Sequence, residues 1–139
     1  MLGQLAAWLT RDLAPGVAPY QQSALGLSAG LIGMTIEEAD RAVARRVEEN
    51  AAIRGLLARG ADLVEARLSA RLQALAEGRD ESLLVSALEA GNATLRAALI
   101  DLHAAVEALE GEAARALEAD IWAELRASTE RRRLSAGTV

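Results

Sequence analysis

The chain has no cysteine, no lysine and no phenylalanine, and it contains two prolines, two tryptophans and one tyrosine. Without cysteine it can form neither a disulfide nor a thiolate metal site, and it has no cysteine nucleophile. Without lysine it supports neither Schiff-base chemistry nor a phosphate-loop lysine. The shortage of aromatic residues disfavours the strands of a β-sandwich or barrel. These absences remove several enzyme classes and leave helix as the main structural option.

What the chain does contain favours a compact helical fold. Its 139 residues are typical of one domain, and 52% of them are hydrophobic. Alanine and leucine dominate, and both are good helix formers. Both prolines, Pro15 and Pro19, lie near the N-terminus, so no later residue breaks a helix on that ground. The formal net charge of −5 argues against nucleic acid as a partner.

The pattern of apolar residues predicts an all-α protein, an antiparallel bundle of four to five helices, two of them long, with coiled-coil-like heptad packing. The strongest signal is two rows of residues spaced by seven, which we call the seam. One row is Val85, Asn92, Leu99 and Val106, and the other is Leu88, Leu95, Leu102 and Leu109. We predict a single domain over 1–139, divided into an N-terminal helix and Pro/Gly turn (1–19), a long or kinked helix (20–60), a helix (61–78), a long helix (80–110), a helix (112–130) and a flexible tail (131–139).

Local signals suggest where these helices begin and end. Thr35 with Glu38 has the spacing of a capping box, so the long helix either restarts at that point or continues through it. Gly60 is expected to stop this helix with a positive φ. Asp80 is expected to cap the helix that follows.

The segment 24–34 is almost wholly apolar and carries Gly26, Gly30 and Gly33. Because small residues let two helix backbones approach closely, we expect a buried helix in tight contact with another helix. It is too short to span a bilayer, which needs about 20 residues. A membrane-associated segment is the alternative interpretation.

Two asparagines stand on the apolar stripes, and each is followed four residues later by an arginine: Asn50 with Arg54, and Asn92 with Arg96. An amide on an apolar stripe is costly without a partner. We expect the two amides to bond each other or the backbone and to fix the helix register, while the arginines pair with carboxylates. The alternative is an interhelical pocket for an anionic or amide-bearing ligand. The two copies also suggest two related helical hairpins.

His103 is the single histidine and belongs to a row spaced by seven with Glu89 and Arg96, the arrangement of a charge ladder beside a seam. Ferritin-like metal bundles need a glutamate three residues before the histidine, where this chain has Ile100. Neither a metal nor a catalytic residue is therefore predicted. Asp40 lies at the edge of the first stripe and could reach an arginine from another helix. Residues assigned to a ligand site or a buried polar network are Asn50, Arg54, Asn92, Arg96, His103, Glu89 and Asp40.

The N-terminal residues lack a positively charged leader, so we expect a cytoplasmic protein without a stable membrane span. The seam and the glycine-rich helix together predict a homodimer that acts by protein–protein interaction, as a scaffold, adaptor or helical chaperone. Two alternatives remain open: a small-molecule-binding protein or enzyme with a polar pocket around Asn50 and Asn92, and a membrane-associated accessory protein. No cofactor is predicted, and an enzymatic activity is not favoured.

Overall fold

A computed structural model describes residues 1–135, and within them the protein is all-α. Five α-helices follow one another: α1 (Leu2–Trp8), α2 (Pro19–Ala61), α3 (Ala66–Ala76), α4 (Val85–Glu107) and α5 (Glu112–Arg131). A π-helical turn (Leu9–Leu13) and a 3-10 turn (Ala14–Gly16) join α1 to α2. The predicted fold class is confirmed. The end of the predicted flexible tail, 136–139, lies outside the described residues.

The contacts between residues divide the chain into two compact units. Unit 1 contains Met1–Ala42 and, among the described residues, the short stretch 133–135. Unit 2 is Val43–Arg132. The helix α2 supplies residues to both units. The single domain expected from chain length stays a prediction.

The long helix α2 is continuous through the proposed cap at Thr35. Pro19 occupies its first turn, where the missing N–H costs nothing, and Gln21 accepts a hydrogen bond from the backbone N–H of Ala18 at 3.2 Å. The hydroxyl of Thr35 donates to the carbonyl of Leu31 at 2.8 Å, four residues back along the same helix. This bond uses the hydroxyl inside the helix, so the expected cap does not form and 20–57 is one helix.

In unit 2, α2 and α4 run parallel, and both are joined to antiparallel neighbours through short loops. Asn50 on α2 bonds Asn92 on α4, a separation of 42 positions. Gly60 and Leu102 face each other at the same separation. Glu65 starts α3 by accepting hydrogen bonds from the backbone N–H groups of its first turn. Gly111, with φ of 118°, begins α5.

The core of unit 2 is built from one apolar stripe of each helix. The seam of α4 is buried from Leu88 to Val106, whereas Val85 and Leu109 at its ends are exposed. The predicted knobs-into-holes packing of this seam stays a prediction. The largest apolar side chains that are fully buried are Ile53, Leu57, Leu72, Leu88, Leu102, Ile121 and Val106.

We expected Gly60 to stop α2 with a positive φ, and this expectation is wrong. The helix continues to Ala61, and Gly111 is the glycine with a positive φ in the described chain. A Cβ placed on Gly60 would lie 2.5 Å from both methyl carbons of Leu102. The glycine is therefore needed for the close approach of α2 and α4 and not for a turn.

Candidate functional site

The two asparagines meet inside unit 2. The Nδ2 group of Asn92 donates to Oδ1 of Asn50 at 2.9 Å, and Nδ2 of Asn50 donates to Oδ1 of Asp80 at 2.9 Å. Asp80 also accepts from Nη2 of Arg54 at 2.8 Å. We call these four residues the amide network. The expected hydrogen bond between the amides is present, and it forms within one chain.

Asp80 is the final acceptor of the amide network, because it accepts hydrogen bonds from both Asn50 and Arg54. We expected this residue to cap α4, but that helix begins at Val85, and Asp80 instead faces α2. The hydrogen bond from Arg54 lowers the pKa of Asp80 below its ordinary value, burial opposes this, and the bond from Asn50 adds to the lowering. A charged acceptor strengthens the bond that Asn50 donates. The network thus fastens the connection between α3 and α4 onto α2.

A second polar group, absent from our sequence-based assignment, surrounds Glu49. Its side chain is 2% exposed, yet it accepts from Nη1 of Arg96 at 2.6 Å and from Nη2 of Arg132 at 2.8 Å. The hydroxyl of Ser128 donates at 3.2 Å, and Arg46 lies 3.5 Å away. We call this set the Glu49 cluster. It joins α2, α4 and α5 through one carboxylate.

The surroundings of Glu49 keep it ionised. Burial alone would raise its pKa, because a charged group loses water. Hydrogen bonds from Arg132 and Arg96, together with the charge of Arg132, outweigh burial and lower the pKa from 4.5 to about 2. Glu49 is therefore a carboxylate at neutral pH.

One sequence signal could have revealed Glu49. It stands seven residues before Leu56, which is 4% exposed, so both lie on the same buried face of α2. Charged residues surround Glu49 in the sequence, and such a stretch is ordinarily a solvated helix face, so this spacing is easily overlooked. The arginine partners come from distant parts of the sequence, and no local pattern predicts them.

The remaining predicted residues separate into different places. Arg96 joins the Glu49 cluster, and Glu89 accepts from Arg46 at the edge of that cluster. His103 instead contacts α5, where its ring meets Trp122 edge to face at a centroid distance of 5.2 Å. Its Nε2 atom is buried and makes no hydrogen bond within residues 1–135. The predicted charge ladder therefore does not continue through His103.

Asp40 belongs to unit 1 and is exposed. It lies at the edge of an apolar groove with Leu2 and Ile36. The neighbouring carboxylate, Glu37, accepts hydrogen bonds from the hydroxyl and the backbone N–H of Ser135, and these hold its pKa below the ordinary value. Asp40 is thus not part of either polar group in unit 2.

Two further properties of the described chain concern its possible ligands and surroundings. In residues 1–135, no group of three or more His, Asp or Glu side chains is arranged to hold a metal ion. Each helix in that range also falls short of the combined length and apolar character that crossing a membrane requires.

Comparison with known proteins identified no relative of this chain. No family model, curated protein or solved structure matches the chain significantly.

Proposed function

We propose that the protein is a helical interaction module that forms a homodimer through the N-terminal part of α2. The observation that carries this proposal is an exposed, uncharged helical surface in unit 1. Residues 13–36 contain no charged side chain, and within them Tyr20, Leu27 and Leu31 are 75%, 72% and 64% exposed. Large exposed apolar surfaces mark sites of association.

The glycines of this segment support close helix contact with a partner. We expected 24–34 to be buried, but Gly26, Gly30 and Gly33 are exposed, and apart from the adjacent residues and backbone of α2 itself a Cβ built on any of them would meet no described atom within 4 Å. Gly30 follows Leu27 by three positions and therefore shares its face. A glycine between exposed leucines allows a second helix to approach the backbone.

Charge favours a second copy of this chain as the occupant of the surface. An uncharged face can meet its own copy across a two-fold axis without like-charge repulsion. An anionic membrane surface would instead select basic residues, whereas residues 1–36 carry one of each sign, Arg11 and Asp12. The interface we propose thus differs from the seam of α4, whose buried residues already have partners within unit 2.

The test is the oligomeric state of the whole chain, measured by light scattering after size exclusion over a series of protein concentrations. We expect a dimer, and we expect Leu27→Glu with Leu31→Glu to give a monomer because like charges would face each other. Ile100→Glu is the matched control, since Ile100 is 69% exposed on α4 but lies in unit 2. It should leave the dimer intact.

Two results would overturn the homodimer. One is a monomer at every concentration, and the other is a dimer that survives the paired leucine substitutions while circular dichroism shows unchanged helix content. Flotation with phosphatidylcholine and phosphatidylglycerol vesicles separates the membrane alternative. Flotation lost in the paired variant and kept in Ile100→Glu would assign the surface to lipid.

A further inference from the structure

A small cavity lies beside the amide network in unit 2. Its volume is about 290 Å³, it is open to solvent on one side, and it is lined by the connection between α3 and α4, the first turns of α4, and Arg54 of α2. Pockets for drug-sized ligands begin at about 300 Å³, so this one suits a smaller molecule. Its polar walls are Arg54, Arg79, Asp80, Glu81 and Ser82.

The charges at this cavity fall into a satisfied pair and an unsatisfied pair. Asp80 and Arg54 bond each other at 2.8 Å. Arg79 and Glu81, on either side of Asp80 in the sequence, form no hydrogen bond or ion pair through their side chains with any residue in 1–135. The cavity therefore presents one available cation and one available anion, with no net charge among its lining residues.

The apolar wall of the cavity contains a glycine in the middle of a helix. Gly91 lies within α4, where glycine is less favourable than alanine. A Cβ at this position would lie 3.9 Å from Nδ2 of Asn50 and 4.0 Å from Oδ1 of Asp80, both ordinary contact distances. The fold itself has room for alanine, and the absence of a methyl group enlarges the cavity. Ala87 and Leu88 complete this wall.

We propose that the cavity binds a small zwitterion, a free α-amino acid with an apolar side chain. The carboxylate pairs with Arg79, the ammonium group pairs with Glu81, and the side chain covers Gly91 and Leu88. Guanidinium–carboxylate pairs are strong and directional, which suits recognition of a small ligand. A simple anion would be repelled by Glu81 and a simple cation by Arg79, so the opposed pair selects a molecule that carries both charges.

The test uses three probes on the full chain: L-leucine, 4-methylpentanoate, which lacks the ammonium group, and 3-methylbutylamine, which lacks the carboxylate. Binding is followed by amide chemical shifts in a nitrogen-15 labelled sample. Leucine should shift the amides of Glu81 and Gly91, and each single-charge analogue should bind at least about tenfold more weakly.

The decisive variant is Gly91→Ala, which adds a methyl group to the cavity wall. It should raise the melting temperature, because alanine favours helix, and it should weaken leucine binding at least about tenfold. Gly55→Ala is the matched control: Gly55 lies within α2 with no atom near its Cβ position, so this variant should raise the melting temperature and keep binding. A stability gain without a binding loss in Gly91→Ala would overturn the proposal.

The other outcomes are equally decisive. No shift with millimolar leucine would overturn the site altogether. Equal binding of 4-methylpentanoate would show an anion site, and equal binding of 3-methylbutylamine would show a cation site, and either result contradicts the zwitterion. The proposal is independent of the homodimer, because every residue of the cavity lies in unit 2.

Discussion

Replacing one asparagine of the amide network should destabilise unit 2 mainly through the asparagine that remains. Asn92→Leu removes the donor at 2.9 Å from Oδ1 of Asn50. Asn50 is 0% exposed, so water cannot take the place of that donor. A buried polar group left without its partner costs about 1–3 kcal/mol. Asn50→Leu should cost at least as much, because it strands the amide of Asn92 and removes a bond to Asp80.

The double variant should cost less than the sum of the two single variants. With leucine at both positions no amide is stranded, and leucine branches at Cγ as asparagine does. Asp80 keeps its bond to Arg54 at 2.8 Å. We therefore expect a coupling energy of about 1–3 kcal/mol between the two positions.

The assay is urea unfolding followed by circular dichroism, with the free energy of unfolding taken for the wild type, both single variants and the double variant. Glu65→Ala combined with Asn92→Leu is the control, because Glu65 lies beyond the end of α2, roughly 15 Å along the axis from Asn50. That pair should be additive. Additivity within about 0.5 kcal/mol for the two asparagines would refute the reasoning.

Three further predictions concern stability. Glu49 has a folded pKa of about 2, below its ordinary 4.5, so it stabilises the fold above about pH 5. That contribution, about 1–2 kcal/mol after allowing for screening of its partly exposed arginines, is lost as the pH falls from about 5 toward 2. Unfolding of Glu49→Gln across this range should show a smaller pH dependence than the wild type, and equal slopes would contradict the assignment. Gly60→Ala should lower the free energy of unfolding through its clash with Leu102, whereas Gly55→Ala should raise it, so the two variants should differ by about 1–3 kcal/mol in a urea titration. Glu65→Ala should cost about 1 kcal/mol in thermal unfolding, because the side chain accepts two backbone N–H bonds at the start of α3; no loss would show that this cap is unimportant.

The structural features that the sequence predicted most accurately are those that depend on a long and regular pattern. The seam of α4 repeats over many turns, so its buried residues from Leu88 to Val106 follow from period alone. The pairing of Asn50 with Asn92 followed from the cost of leaving an amide unpartnered on such a stripe. The first inference uses the pattern of one helix, and the second uses a general penalty that left open whether each amide bonds the other amide or the backbone; the structure shows the former.

Glu49, Asp80 and Gly60 could not be assigned in this way, because their roles depend on the neighbouring helix. A glutamate within a charged stretch is ordinarily solvated, and Arg96 on α4 with Arg132 directly after α5 makes this one a buried acceptor. An aspartate two residues after a glycine, as Asp80 is after Gly78, has the pattern of a helix cap, but here its side chain bonds Asn50 instead. A glycine near a helix end is typical of a stop signal, and here Leu102 explains it. Tertiary contacts overrode a correct local preference in each case.

The segment 24–34 is another case in which the sequence does not identify the packing partner, and here the partner bears on function. Small and apolar residues indicate that a helix is suited to close packing, but they do not identify the molecule that supplies the other surface. In unit 1 the available helix is α1, with seven residues, and its Leu5 and Trp8 are themselves 43% and 49% exposed. With α1 and the helical turns that follow it in place, Leu27 and Leu31 on the uncharged face of α2 are still 72% and 64% exposed. The surface for which the sequence predicts an apolar partner therefore lacks one among the described residues, and we propose a second chain as that partner because the surface is uncharged.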